Sequence, residues 1–271
     1  MMSVSKSLLI ILFSIFFSCN TLRPFFISES EEIAMGDKFK AQILADQKNY
    51  PPFNGDGRVS RYIDSIGTRI ANVQTDWNTT SLKFTFTIIK NDTMINAFAV
   101  PGGHIFIYTG LLLAAENESQ VAGVLAHEIG HITKHHSANM LVQQNMVGFA
   151  NTIIFGNDSS AATAITTLLE GLTFLRFSRE NENEADSLSV AYTTLARINP
   201  LGMSQFLSVL QNKYGDGPRI LEPFENALSS HPPLSDRIKN VNSIIQKIAA
   251  ADITLDAKST EYSVVKDLIL K

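Results

Sequence analysis

The spacing of apolar residues predicts a protein built mostly of helices. Apolar positions recur three to four residues apart in several segments, which is the period of a helix with one buried face. Residues 28–31 also read Ser-Glu-Ser-Glu, a capping box that favours a helix start. Helices are predicted at 29–46, 59–73, from 118 onward, at 182–195, 203–213 and 234–249, with two more inside the apolar stretch 140–175.

A different pattern lies between these helices. Apolar and polar residues alternate over 82–90, as expected of a half-buried strand. Two further short strands are predicted at 97–100 and 105–108, separated by Pro101-Gly102-Gly103. We therefore predict an α+β fold that is mostly helical, with a small antiparallel sheet beside the helix that begins near residue 118.

That helix carries the residues with the clearest chemistry. His127, Glu128 and His131 form an H-E-x-x-H motif. Residues four apart share one helix face, so the two imidazoles can bind one metal ion while Glu128 reaches a water beside it. Gly130 within the same helix costs about 1 kcal/mol relative to alanine. We expect that another element packs closely against the helix at Gly130.

A catalytic zinc ion usually has three protein ligands and one open position. The metzincin extension of the motif would need glycine and histidine where the chain has Lys134 and Ser137. The Gly-x-Met-Glu-Asn box of the aminopeptidases is also missing. A glutamate on a later helix remains, and the segment 178–186 offers Glu180, Glu182 and Glu184.

The first residues predict an export signal. A short apolar run at 8–17 follows Lys6 and is too short for a comfortable transmembrane helix. It is followed by Ser18 and by Cys19, the one cysteine of the chain, an arrangement that resembles a bacterial lipobox. We expect residues 1–18 to be removed, Cys19 to be lipidated, and 19–271 to form a single domain. An ordinary signal or an uncleaved anchor is the alternative.

Composition narrows the possible partners. The net charge of −4 gives no electrostatic basis for binding nucleic acid. A single cysteine also excludes an internal disulfide. In the apolar stretch 140–175, polar residues interrupt every run, so we expect buried or membrane-apposed helices and no transmembrane span.

The segment Glu182-Asn183-Glu184-Ala185-Asp186 resembles the E-x-x-A-D motif of the HtpX and CAAX prenyl protease family. These membrane-associated zinc metallopeptidases include exported bacterial lipoproteins. The resemblance implies that Glu182 is the third zinc ligand, so that each chain would bind one Zn²⁺ ion with His127, His131 and Glu182. Asp186 lies one turn further and would accept the free N–H of a ligating histidine.

Residues 96–112 resemble the strand that precedes the motif helix in this family. There an exposed strand edge receives the substrate as an additional strand, held by main-chain hydrogen bonds. The resemblance assigns this role to Gly102, Gly103, His104, Ile105 and Phe106. The His104 side chain itself is interpreted as structural or surface-exposed.

Three further histidines lie outside the motif. His231 precedes Pro232, which restricts it to an extended conformation. Family members carry such a His-Pro near the metal, where His231 would donate to the oxyanion or occupy the open position and silence the enzyme. His135 and His136 follow the motif helix, and we expect both to lie near the negative end of its dipole.

The resulting hypothesis is a zinc metalloendopeptidase of the bacterial cell envelope, with Glu128 as general base and His231 as a further catalytic residue. Its expected substrates are misfolded or misassembled proteins, and its expected location is a membrane facing the periplasm, the outer membrane being favoured. One alternative is a latent protease that acts mainly as an envelope chaperone. Another is a lipoprotein in which the zinc is purely structural.

Overall fold

The computed structural model describes residues 28–73, 82–143, 163, 177–216, 233–248 and 261–271. Its helices are α1 (Glu29–Ala45), α2 (Gly57–Ala71), α3 (Thr109–Ala114), α4 (Glu118–Thr133), α5 (His136–Gln143), α6 (Arg179–Leu195), α7 (Gly202–Tyr214), α8 (Leu234–Ile248) and α9 (Glu261–Ile269). Its strands are β1 (Thr85–Ile89), β2 (Ala97–Val100) and β3 (His104–Tyr108). The predicted α+β class is confirmed.

Several helices begin where side chains satisfy their first main-chain N–H groups. At α1 the capping box is present, because Ser28 accepts from Glu31 N and the Glu31 carboxylate accepts from Ser28 N at 2.7 Å. Asn117 accepts from Gln120 N at 3.1 Å to start α4. Ser178 accepts from Asn181 N at the same distance to start α6. Local sequence therefore determines where the helices of the metal site begin.

The sheet is mixed, in the order β1-β3-β2. Strand β2 pairs antiparallel with β3 through the tight turn Pro101–Gly103. Strand β1 pairs parallel with β3, so the prediction of an antiparallel sheet is wrong for this pair. The reason is the connection 90–96, which crosses the end of β3 and delivers β2 to its far side. The Asn91 side chain holds that connection by accepting from Thr93 N and Met94 N, both at 3.1 Å.

Helix α4 is the central helix of the fold. It packs against α6 and α7 on one side and against α2 and β2 on the other. Close approach to α6 occurs at Gly130, where an added Cβ atom would lie 3.3 Å from Ala185 Cα. The expectation that another element packs against Gly130 is confirmed. The two helices that carry the E-x-x-A-D and H-E-x-x-H motifs are thus in direct contact.

Helix α9 was not predicted from the sequence. Its Tyr262 and Lys266 attach it to the fold by donating hydrogen bonds to the carbonyls of Leu112 (2.5 Å) and Ala115 (2.9 Å).

Among the described residues, no helix combines the length and the apolar character needed to cross a bilayer.

Candidate metal centre

The three predicted ligands come together between α4 and α6. His127 Nε2 and His131 Nε2 are 3.0 Å apart. Glu182 places its carboxylate oxygens 3.7 Å from His127 Nε2 and 3.5 Å from His131 Nε2. All three side chains are buried, with exposures of 3%, 2% and 0%.

These separations suit a metal ion. A tetrahedral zinc ion with bonds of 2.0–2.1 Å would hold its donor atoms about 3.3 Å apart. The observed donor distances of 3.0, 3.5 and 3.7 Å lie on both sides of that value. Two imidazoles and a carboxylate are also a ligand set that zinc accepts. Among the described residues, this is the group of His and acidic side chains whose donor atoms converge on one point.

The protonation of the two histidines favours cation binding. Burial lowers the pKa of His131 to about 3, against the opposing hydrogen bond with Glu182. Burial likewise lowers the pKa of His127. Both imidazoles are therefore neutral at physiological pH, and a neutral imidazole is the form that binds a metal.

Asp186 lies one turn beyond Glu182, facing the same centre. Its Oδ1 is 3.0 Å from His127 Nδ1, so His127 keeps Nε2 for the metal. Arg237 of α8 donates to both Asp186 oxygens, at 2.9 and 2.7 Å. Burial would raise the pKa of Asp186, but the charge and hydrogen bonds of Arg237, together with the hydrogen bond to His127, outweigh burial and the pKa falls to about 2. Asp186 therefore stays ionised in the protein interior.

Arg237 was missed by the sequence interpretation. It is 5% exposed, and its Nη1 also lies 3.3 Å from Glu182 Oε2. The sequence did contain a sign of its burial, because Arg237 shares one face of α8 with the apolar residues Leu234 and Val241. An arginine on an apolar helix face needs a buried acidic partner, and the E-x-x-A-D motif supplies one.

Glu128 is half-buried and lies next to His127 on α4, the helix that also packs against β2. Its carboxylate accepts a hydrogen bond from Ala99 N of β2. Burial, helped by the negative charge of Glu182, raises the pKa of Glu128 to about 8. A carboxyl group with such a pKa can both accept and release a proton near neutral pH.

The predicted substrate strand needs correction. Residues His104 to Phe106 belong to β3, which lies between β1 and β2 and has both edges paired. Gly102 and Gly103 form the preceding turn and are both buried, Gly102 against Ile33 and Gly36 of α1 and Gly103 against the main chain of Lys83. His104 is also buried, with Thr85 Oγ1 2.9 Å from Nδ1 and Asp37 Oδ1 3.1 Å from Nε2. These five residues therefore cannot add a substrate strand.

Strand β2 forms the sheet edge nearest to Glu128. On its outer side, no further strand is present among the described residues. Tyr108 N donates to Asn96 O at 3.1 Å, so Asn96 and Tyr108 form a hydrogen-bonded pair. Along an antiparallel ladder such pairs alternate with pairs whose main-chain groups point away from the partner strand. The main-chain groups of Ala97 and Ala99 consequently point away from β3, in agreement with the bond from Ala99 N to Glu128.

The remaining predicted residues fall into two groups. Of the other two candidate ligands, Glu184 lies 3.2 Å from His136 and 3.3 Å from Lys134, while Glu180 is exposed. His231, Cys19 and the segment 1–18 lie outside the described residues, as does most of the apolar stretch 140–175. The roles predicted for them stay predictions.

A helix that carries H-E-x-x-H, packed against a second helix that supplies a glutamate, is the arrangement typical of zinc metallopeptidase metal centres. The comparison with protein families agrees. Residues 58–245 match the model of Peptidase family M48, and the chain belongs to this family.

Individual relatives share this part of the chain. The beta-barrel assembly-enhancing protease of Escherichia coli K12 is 32% identical over 204 residues, which is 71% of this chain and 40% of that protein. The mitochondrial metalloendopeptidase OMA1 of Saccharomyces cerevisiae is 28% identical over 156 residues, covering 56% and 44% of the two chains. Metalloprotease YcaL of E. coli K12 is 27% identical over 151 residues, covering 54% and 57%. The chain thus spans about two fifths of the length of the first relative.

Proposed function

We propose that this protein is a zinc metalloendopeptidase that hydrolyses unfolded or misassembled proteins in the bacterial cell envelope. The observation that carries the proposal is the convergence of His127, His131 and Glu182, with Glu128 next to them at the sheet edge. Family membership supports the peptidase activity. The residues fit a single zinc ion, whose presence and identity are part of the proposal.

When bound, zinc would supply a Lewis acid and lower the pKa of a water molecule to about 7. Glu128 would accept the proton of the attacking water and deliver it to the leaving amine. Its pKa of about 8 before metal binding would fall beside a cation, which favours the proton-accepting form. His127 and Glu182 are held in place by Asp186 and Arg237, so the centre is ordered before substrate arrives.

The replacement Glu128→Gln tests this mechanism. It keeps the size of the side chain and removes the proton acceptor, so we expect kcat for casein cleavage to fall by about 100- to 10,000-fold. Zinc content, measured by atomic absorption, should stay at one ion per chain because the three ligands are intact.

The matched control is Glu180→Gln, an exposed glutamate at the start of α6, which should leave both values unchanged. Casein cleavage by Glu128→Gln at the wild-type rate would refute the role of Glu128. A wild-type chain without zinc would refute the proposal as a whole.

We further propose that substrate binds along β2 as an additional strand. Ala97 and Ala99 present their main-chain groups on the same outer edge of β2, and Ala99 contacts Glu128. A peptide that pairs with this edge would therefore pass the metal centre. Such pairing recognises the substrate mainly through main-chain hydrogen bonds and depends little on its side chains, which suits a protease for unfolded proteins.

Ala97→Pro tests the strand edge. Proline is tolerated at the first residue of an edge strand and removes the outward N–H. The loss of one main-chain hydrogen bond, about 1 kcal/mol, should lower kcat/KM for casein about three- to tenfold through KM. Ala97→Ser, which keeps the N–H, is the control. If both variants have the same kcat/KM, β2 does not bind substrate.

The envelope location rests on the first residues and on one relative. Residues 1–19 carry the pattern of a lipoprotein signal with Cys19 as the anchor. A relative is named for enhancing beta-barrel assembly. Labelling cells with a fatty-acid analogue tests the anchor, since wild type should incorporate it and Cys19→Ala should not.

A further inference from the structure

The second ligand histidine has an unusual partner on its far side. His131 Nδ1 lies 2.8 Å from Nδ1 of His136, the first residue of α5. The other ring nitrogen of His136, Nε2, lies 3.2 Å from Glu184 Oε2. Lys134 Nζ is 3.3 Å from the second oxygen of the same carboxylate. His131, His136 and Glu184 thus form a continuous chain from the metal centre to the surface.

Hydrogen-bond chemistry determines where the protons of this chain lie. If Nε2 of His131 binds the metal, its neutral ring carries the proton on Nδ1. That N–H must donate to His136, so Nδ1 of His136 is unprotonated and accepts. The proton of His136 then resides on Nε2, where it donates to Glu184. With a metal on His131 Nε2, the ring protons of His131 and His136 therefore each have one possible position.

The surrounding residues hold both rings in this geometry. Phe177 stacks on the His131 ring with centroids 4.2 Å apart and an angle of 24°, which restricts the plane of the imidazole. The chain reverses at His135, whose φ of 55° brings His136 back toward His131. His136 is 3% exposed, so water has little access to replace its hydrogen bond.

We propose that His136 is a positioning residue of the metal centre, which accepts the Nδ1 proton of His131 and thereby directs His131 Nε2 to the metal. Glu184 holds His136 in the accepting tautomer. The inference rests on the proposed zinc centre and deepens it. It also gives Glu184 a function, which the sequence interpretation considered only as an alternative ligand.

The two ligand histidines are consequently supported in different ways. His127 donates directly to a buried carboxylate, Asp186. His131 donates to a neutral imidazole, and the carboxylate of Glu184 acts one ring further away. Partners of this kind hold a ligand in its binding orientation, and their loss typically weakens metal affinity about 10- to 100-fold.

Zinc affinity of the full chain, measured by competition with a chromophoric chelator, tests the inference. His136→Leu removes the acceptor and should weaken zinc binding about 10- to 100-fold. His136→Asn places an amide oxygen near the position of Nδ1 and should restore most of the affinity. A general loss of packing would not produce this rescue by the polar variant.

The matched control is the neighbouring histidine. His135 contacts Glu32 Oε2 at 2.6 Å, on α1, and asparagine tolerates its positive φ. His135→Asn should therefore keep the wild-type zinc affinity. If His136→Leu does not fold, Glu184→Leu replaces it, with Glu180→Leu on the same helix as its control.

A spectroscopic measurement locates the protons directly. In the zinc-loaded chain labelled with ¹⁵N-histidine, NMR should show His131 protonated at Nδ1 and His136 protonated at Nε2. The opposite tautomer at His136 would overturn the inference. So would equal zinc affinity of wild type, His136→Leu and His136→Asn.

These results separate the two proposals. If the wild-type chain binds zinc and cleaves casein while His136→Leu binds zinc as tightly, the role of His136 is wrong and the proposed function stands. If the wild-type chain binds no zinc, both are wrong. If it binds zinc with the expected losses but never cleaves casein, only the proposed function fails.

Discussion

Buried charge at the metal centre is dominated by acids. Glu182 and Asp186 are both fully buried, and among the described residues Arg237 is the guanidinium that contacts them. Two carboxylates facing one cation leave an excess of negative charge, which attracts a metal ion. At the scale of single residues, Arg237 therefore stabilises the acids but does not neutralise them.

Replacing Arg237 should show how much the buried carboxylates destabilise the fold when their partner is removed. Arg237→Met leaves Asp186 buried without its bidentate partner, which typically costs about 3–5 kcal/mol of unfolding free energy. Urea denaturation of the chelator-treated protein measures this loss. Arg237→Met combined with Asp186→Leu should recover part of it, because the unpaired charge is gone.

Lys239 of α8 is exposed and supplies the control, since Lys239→Met should change the unfolding free energy by less than about 0.5 kcal/mol. An equal effect of Arg237→Met and Lys239→Met would mean that the buried pair contributes nothing to stability.

At the scale of elements, the position of α4 depends on glycines that let neighbouring backbones approach. A Cβ atom at Gly123 would lie 2.6 Å from Met203 N of α7. A Cβ atom at Gly202 would lie 1.8 Å from Ser119 O of α4. Close approach to α7 at Gly123 and to α6 at Gly130 fixes the position of α4, and with it the position of both histidines.

Gly123→Ala should therefore destabilise the protein. Alanine in a helix is normally favoured over glycine by about 1 kcal/mol, but here the new methyl group meets backbone atoms that cannot move independently. We expect the unfolding free energy to fall by about 1–3 kcal/mol, as for other overpacked cores.

Thermal and urea unfolding would measure the change. Gly57→Ala, at the start of α2, is the control, because its Cβ would meet only the flexible end of Arg61 at 3.3 Å. A Gly123→Ala variant at least as stable as wild type would contradict the close packing of α4 on α7.

At the scale of the whole molecule, a metal would join parts of the chain that are far apart in sequence. His127 and His131 come from α4, Glu182 from α6, and Arg237 of α8 reaches the same centre. A ligand that binds only the folded state stabilises it in proportion to the logarithm of its concentration over Kd. Stability of the whole protein should thus depend on zinc.

Removing the metal should lower Tm. At a free zinc concentration of about 1,000 times Kd, binding adds about 4 kcal/mol, which for a domain of this size corresponds to about 8–16 °C. Calorimetry with zinc and with chelator would measure the difference. Glu182→Gln should abolish most of it, and an unchanged difference in that variant would exclude Glu182 as a ligand.

Much of the centre was predictable because its determinants are local. The spacing of His127 and His131 places them on one helix face wherever that helix packs. The pairing of Glu182 with Asp186 one turn later follows the same rule. Arg237 and the His131–His136–Glu184 chain were not predicted, since each depends on how a second helix is oriented against the first.

The sequence by itself determined where α1 and α4 begin, the metal-binding motif and the membership of Glu182 and Asp186 in one helix face, because capping and helical periodicity act within a few residues. Helix α6 begins at Arg179, before the predicted start at 182, because Ser178 caps it. Only the tertiary structure decided that β1 runs parallel to β3 and that β2, not β3, is the sheet edge beside Glu128. The same is true of the contact between Arg237 and Glu182. The physical reason is that these features depend on the burial of side chains and the pairing of strands from distant segments, and no local pattern encodes which segments will meet.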